Sequence, residues 1–598
     1  NSQFSILNSQ FSILNSQFSI LNSAHPPQYP ASPIVRAYSS PTGYNLKWSI
    51  RVGSMKNRAR MRLVPCLVTL ALVAASTLGQ EPGATPPRPA WTDSRLLAPL
   101  PIEKPLPPKT RFKSNHPIDR FLAEKWEQAK LRPAPRSDDY TFCRRIYLDL
   151  AGVVPPLKAL QDFVRNTSHR KRDRLIDKLL ADDRYAAHWG IFWEDLLRAQ
   201  RRQRGAEPDS FRQYIQAVLK DNQPYDQWVR DMITATGPTA DDPAVNFVLR
   251  HQADPNELTI SVTQVFMGMQ LKCVQCHDDR TGRFWNKSDF VGLAGFWSRT
   301  KVRPDHTETI TVNGRTRELR LAKVVDRPGA TGTYLGKPNP SAGQGRDALA
   351  NTLTDRSNPY FARAVVNRVW KQLMGTGLVE PVDDQDPDNP ASHPQLLDWL
   401  AIDFVENGYD LKHLIRTVVT SHAYQLSSMR FRRRFQEPTE RLFDSMPLRR
   451  MSAEQLYDSI LMTCGAFQNP RVQLAPAIET PYPPRPASFL ATFEAHDRQT
   501  HHPRHTEATI PQALALLNGN FVNRAVAWHE TNPLRVWAKQ GLAINEAIDR
   551  LYLLTLSRKP TKQERSTVRK YVRSGKPAQR WSDVLWALIN TREFMFIR

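Results

Sequence analysis

Cysteine is scarce: five in 598 residues, too few for a disulfide scaffold. Acid is scarce too, with 58 Asp and Glu against 82 Lys and Arg and a formal charge of +24. No acidic residue precedes Glu81, whereas seven basic ones do, so +17 of that surplus belongs to the chain beyond Gln80. Such a surplus points to anionic partners (acidic polysaccharide, nucleic acid or a membrane surface) without choosing among them. Long apolar runs are nearly absent. The one from Leu63 to Leu78 has 16 residues and contains Pro65, which is short for a bilayer span. There is no P-loop, no Gly-rich dinucleotide fingerprint and no G-x-S-x-G elbow. What is present is 40% hydrophobic and 23% charged residues, enough for a sizeable core and incompatible with wholesale disorder. The length suggests about three to four folded units.

The unit Asn-Ser-Gln-Phe-Ser-Ile-Leu runs three times over residues 1–21 without a zipper's charge pattern. Residues 1–54 read as translated repetitive sequence upstream of a start at Met55. From there Lys56, Arg58, Arg60 and Arg62 lead into the apolar run and then small residues, the order of a secretory signal peptide over 55–79. Export to the periplasm or beyond is expected. An uncleaved signal segment is the only membrane attachment the chain offers, and the leader argues against a nucleic-acid partner.

Pro-rich residues 80–115 read as a linker. Helical periodicity begins at His116: Leu175, Ile176, Leu179 and Leu180 form one apolar stripe, and Trp189 and Trp193 lie one turn apart. Thr307 to Val312 alternates, Asn313-Gly314 supplies a turn, and Arg315 to Leu321 alternates back, predicting a β-hairpin. Helical texture resumes at Arg346. The expected architecture is mainly α: two large helical units, 116–300 and 346–598, with a small β-hairpin insert and linker at 301–345.

Cys273-Val274-Gln275-Cys276-His277 is the C-x-x-C-H pattern of c-type haem attachment. Two cysteines three positions apart can each form a thioether to the porphyrin, and the adjacent His277 can ligate the iron as proximal ligand. In bacteria the attachment takes place outside the cytoplasm, so leader and motif support each other. A redox dithiol is a competing reading, although no βαβ pattern surrounds the pair; half a zinc site is another, although no second C-x-x-C completes it. A structural disulfide or plain thiols stay open as well. Cys143 and Cys464 lie in apolar helical patterns and read as core. Met267, Met269, His251 and His306 flank the motif, and none is singled out as a distal ligand.

A second cluster spans 494–507, where His496, His501, His502 and His505 fall within ten positions among carboxylates. These are candidate Zn or Cu ligands, with His496 a candidate distal haem ligand; the plainer reading is a polar loop before a helix. Two acidic runs, Asp383-Asp384 with Asp386 and Asp388, and Asp241-Asp242, would suit calcium or paired-carboxylate hydrolysis, but Asp386 to Pro390 reads first as turn chemistry; the Arg clusters at 198–204 and 430–434 would suit an acidic glycan or a phosphate backbone and read first as solvated faces.

Longer strings carry a resemblance. Ile118-Asp119-Arg120-Phe121, Arg144 to Gly152 (RRIYLDLAG) and Tyr225 to Val229, with Trp285 and Ala294-Gly295-Phe296-Trp297 after the motif, resemble a cytochrome-like domain of secreted planctomycete proteins. Asn358 to Arg363 (NPYFAR), Val366 to Trp370 (VNRVW), Gly377 to Asp384 (GLVEPVDD) and Leu556 to Thr561 (LSRKPT) resemble its planctomycete-specific C-terminal companion. Both are domains of unknown function, and the resemblance covers essentially 116–598. It implies export, a mainly helical fold and c-type haem, and establishes no reaction. Two departures stand out. Asp279 and Arg280 follow Asp278 where relatives continue with a His-Pro pair, and histidines replace cysteines before Gln512. The expected function is therefore an exported haem c redox protein serving a redox partner protein. The alternative is a non-redox binding or hydrolytic protein for acidic polysaccharide, in which the cysteines are structural.

Overall fold

The computed structural model describes residues 100–101, 103–199, 205–278, 285–312, 315–335, 337–338, 344–429, 441–468, 476–479, 488–493 and 509–598, with backbone only for 308–320 and 337–338. Helices dominate, and sheets are small. Numbering helices of nine residues or more, the first half contains α1 (Pro117–Gln128), α2 (Asp139–Ala151), α3 (Leu157–Arg165), α4 (Lys171–Leu180), α5 (Asp183–Leu196), α6 (Pro208–Lys220), α7 (Tyr225–Thr234), α8 (Pro255–Met267) and α9 (Lys287–Gly295). The anticipated stripe is there: Leu175, Ile176, Leu179 and Leu180 of α4 are all buried, and so are Trp189 and Trp193 of α5.

The hairpin forms where alternation and Asn-Gly place it. Strand β1 (Thr300–Val312) pairs antiparallel with β2 (Arg315–Asp326), Val312 facing Arg315 across the two-residue connection. The helices then resume with α10 (Gly345–Leu353), α11 (Phe361–Met374), α12 (Pro394–Glu406) and α13 (Leu411–Thr420). After them come α14 (Ala453–Cys464), α15 (Ile510–Asn518), α16 (Ile544–Leu556), α17 (Lys562–Val572) and α18 (Pro577–Ile589).

Two hydrophobic cores organise these helices, and the hairpin does not separate them. One core takes buried residues from Leu100 to Met446, joined by Leu553 of α16, so α10–α13 pack with α1–α9. The other is built mainly from Met451 to Ile597 and also takes Leu148 and Val154 from the first half of the chain. Helix α2 stands between them: Phe142, Cys143, Ile146 and Leu150 enter the first core, and Leu148 enters the second. Asp138 caps its first turn by accepting from the Thr141 amide at 2.8 Å.

The polar residues of α2 join the cores. Arg144 donates to the carbonyls of Thr555 at 2.8 Å and Phe594 at 2.7 Å. Arg145 donates to the carbonyls of Arg598 and Leu426, each at 2.9 Å, and of Tyr424. Asp149 accepts from the Tyr424 hydroxyl at 2.6 Å and from Arg449 at 2.7 Å. A charge taken out of water is tolerated when it is paired in this way and costs heavily when it is not. The string RRIYLDLAG is thus a structural staple.

Candidate functional site

Helix α8 leads into the motif. Asp254 caps it, accepting from the amides of Asn256 and Glu257 at 2.9 Å. It stops at Gly268, whose left-handed backbone (φ 65°) suits glycine. A Cβ on Gly268 would also meet the Gln385 side chain at 2.7 Å. Beyond it, Cys273–Gln275 form a single 3-10 turn, anchored by buried Val274. Side chains three apart eclipse on such a turn, so Cys273 and Cys276 share one face. Both thiols are exposed and unbridged.

His277 is exposed and its ring is already oriented. Nδ1 lies 2.7 Å from the Asp278 carbonyl oxygen, which can only accept. Nδ1 is therefore the donor of that contact, which leaves Nε2 as the ring nitrogen available to a ligand, the arrangement of a metal-ligating imidazole held by a backbone carbonyl. Asp278 in turn accepts from the Lys287 amide at 2.8 Å, tying the motif to the start of α9.

The segment that holds this turn lies more than 100 residues further along the chain. Asp383 accepts from Gln264 at 2.6 Å and from Gln270 at 3.0 Å. The Gln385 amide donates to the Gly268 carbonyl at 2.8 Å, and Asp386 accepts from the Trp285 indole at 3.0 Å. The acidic loop thus grips both shoulders of the motif. Asp386 also closes a turn, its carbonyl accepting from the Asn389 amide at 2.9 Å, as its Asp-Pro-Asp-Asn sequence predicts. Asn367 of α11 supports the loop's base, accepting from the Leu378 and Val379 amides at 2.7 and 3.0 Å. Burial pushes the Arg368 guanidinium down, and Asp383 pulls it back up.

The remaining candidates sort clearly. Cys143 and Cys464 are buried, and burial pushes both thiols well up, so they are core. Met267 and Met269 are buried, with the Tyr334 hydroxyl 3.7 Å from the Met267 sulfur. His251 is buried, and exposed His306 lies 2.5 Å from Asp305. His496, His501, His502 and His505, Asp279 and Arg280, and the signal segment lie outside the described residues. Among the described residues no group of three or more His, Cys, Asp or Glu converges to hold a metal ion. Two clefts, of about 550 and 400 Å³, are lined by residues other than the motif.

The structure is thus a helical body that holds an exposed C-x-x-C-H turn with a loop from its second half. Two family models match accordingly: PSCyt2, a protein of unknown function (DUF1549), over residues 117–302, and PSD1, a protein of unknown function (DUF1553), over 345–572. The chain belongs to the planctomycete family that pairs these cytochrome-like and C-terminal domains. No curated protein and no solved structure matches it.

Proposed function

We propose that this chain is an exported c-type haem protein that carries electrons for a redox partner protein. The observation behind the reading is the donor set: two accessible thiols on one face of one turn, beside an imidazole whose Nε2 is free. Cys273 and Cys276 would hold the macrocycle by thioether bonds and His277 would supply the proximal nitrogen. The group itself would supply a one-electron couple at iron. The chain's part is to hold the attachment geometry. Asp278 orients the imidazole, Val274 anchors the turn, and Asp383, Gln385 and Asp386 fix its shoulders. The other two described cysteines lie in the core, which leaves this pair as the accessible thiol chemistry of the described chain.

The test is expression with a leader in a host competent in cytochrome maturation. Expected are a visible spectrum with reduced-form bands and haem-dependent peroxidase staining that survives a denaturing gel. Cys273→Ala with Cys276→Ala should abolish the denaturation-resistant stain. A colourless product from such a host, with both thiols free or bridged to each other, overturns the reading.

A further inference from the structure

Residues 103–115 end the Pro-rich stretch, and they are docked on the helical body. Lys104 pairs with Asp403 at 2.7 Å and Glu406 at 2.8 Å. Phe112 sits edge-on between Trp126 and His422, with centroid distances of 5.3 and 5.2 Å. Around and beyond Phe112 the chain folds back on itself. The Ser114 amide donates to the Phe112 carbonyl at 2.9 Å, Ser114 Oγ donates to Asp119 at 2.7 Å, and the His116 amide donates to Ser114 Oγ at 3.1 Å. Arg120, on the first turn of α1, donates through Nε to the Pro108 carbonyl at 2.9 Å.

The result is a cleft of about 550 Å³ lined by Lys109, Arg111, Lys113 and Arg120 together with Thr110, Phe112, Ser114 and Asn115. Four of its eight lining side chains are cationic and none is acidic. Two neighbouring carboxylates already have partners: Asp119 accepts from Ser114 Oγ at 2.7 Å and from the His422 and Ala423 amides at 3.0 and 2.9 Å, and Glu127 accepts from the Arg111 backbone amide at 2.5 Å. We infer that this cleft binds an acidic oligosaccharide, a sugar chain bearing sulfate or carboxylate groups.

Several features choose that ligand. Arg120 spends only Nε on the backbone, so its two terminal nitrogens, with the Arg111 fork, can each grip a planar carboxylate or a sulfate edge. Lys109 and Lys113 add point charges, and the Asn115 amide suits a sugar hydroxyl. The volume falls in the range of sites for drug-sized molecules and exceeds what a lone inorganic anion needs. The one aromatic ring in the lining is committed to Trp126 and His422, which removes the stacking platform that single-stranded nucleic acid uses. No aliphatic side chain lines the cleft to take up an acyl chain. Because the segment is already pinned by its own hydrogen bonds, binding would order little new chain.

The experiment uses the full chain and fluorescently labelled dextran sulfate and oligogalacturonate fragments, with neutral dextran of equal length as the blank. The variant Lys109→Gln/Arg111→Gln/Lys113→Gln leaves Arg120, the structural member, in place. The charge-matched control is Lys562→Gln/Arg569→Gln/Lys570→Gln on exposed faces of α17. Expected is salt-sensitive binding of at least one acidic sugar, weakened about tenfold or more in the cleft variant and less than about twofold in the control. Equal losses in the two variants overturn the inference. So does tighter binding to a single-stranded oligonucleotide or to phosphatidylglycerol vesicles, or full competition by inorganic sulfate at matched ionic strength. Lysine acetylation mapped by mass spectrometry on the unsubstituted protein gives an independent readout. Bound acidic sugar should slow modification of Lys109 and Lys113 relative to Lys562, and absence of protection overturns the assignment.

Discussion

Helix α2 and the C-x-x-C-H turn sit in the same matched domain and obey opposite rules. On α2, Arg144, Arg145 and Asp149 are buried, and their partners come from distant parts of the chain. On the turn, Cys273, Cys276 and His277 are exposed and held only from behind. The difference teaches that a long, distinctive string can serve packing, while a short exposed turn carries the accessible thiols. RRIYLDLAG and VNRVW are demanding because a buried polar group tolerates so few partners, whereas the thiol turn asks only for three side chains on a small scaffold.

The comparison breaks most sharply at Arg145. Arg145→Ala would strand three carbonyls at the junction of the cores and should cost about 3–5 kcal/mol, read as a lowered urea midpoint. Asp383→Ala should follow at about 1–2 kcal/mol, because it leaves the part-buried amide of Gln264 unpaired and Arg368 without its opposing charge, while exposed Gln270 turns to water. Its distinguishing mark is faster amide exchange across 268–278, with helix α2 unchanged. A left-handed Gly268 replaced by alanine should cost about 1–2 kcal/mol, together with displacement of Gln385.

A pH test reaches the second core. Asp458 accepts from the Ala477 amide at 2.8 Å, and burial pushes its carboxyl up to about 7, with Glu454 and Glu479 adding to the rise. The unfolded chain loses that proton near the ordinary carboxylate value, so between pH 4 and 7 the folded state holds more protons. Stability from this group therefore falls as pH rises through that window and is level above it. Asp458→Asn should remove the slope, gaining stability relative to the parent at pH 8 and not at pH 4. The gain should be about 2 kcal/mol at most, since the side chain is only half-buried. The smallest expected effect closes the comparison: Cys273→Ser with Cys276→Ser should leave the melting curve of haem-free protein within about 0.5 kcal/mol, because neither thiol packs into a core.

Much of this was legible in the residues themselves. The α4 stripe, the hairpin around Asn313-Gly314 and the core placement of Cys143 and Cys464 each rest on local spacing or local texture, which a chain cannot hide. The motif was equally visible, and so was the turn at Asp386. The second role of that turn was not. Nothing near Asp383 or Asp386 announces that their partners are Gln264, Gln270 and Trp285. The only hint was Gly268, a glycine at a helix end that also admits a neighbour. Likewise no local pattern showed that the helices on both sides of the hairpin share one core, which runs to Met446 because α10–α13 turn their apolar faces inward against α1–α9.

By itself, then, the sequence determined which faces are apolar, where helices start and stop, and that two cysteines and a histidine share one turn, since each follows from neighbours a few positions apart. Only the tertiary structure decided that α2 joins two cores, that an acidic loop holds the thiol turn from behind, and that Lys109 to Asn115 fold with Arg120 into a cationic cleft. Most of those arrangements depend on contacts between residues far apart in the chain, whose pairing is set by the fit of whole surfaces and leaves no period for a local pattern to carry.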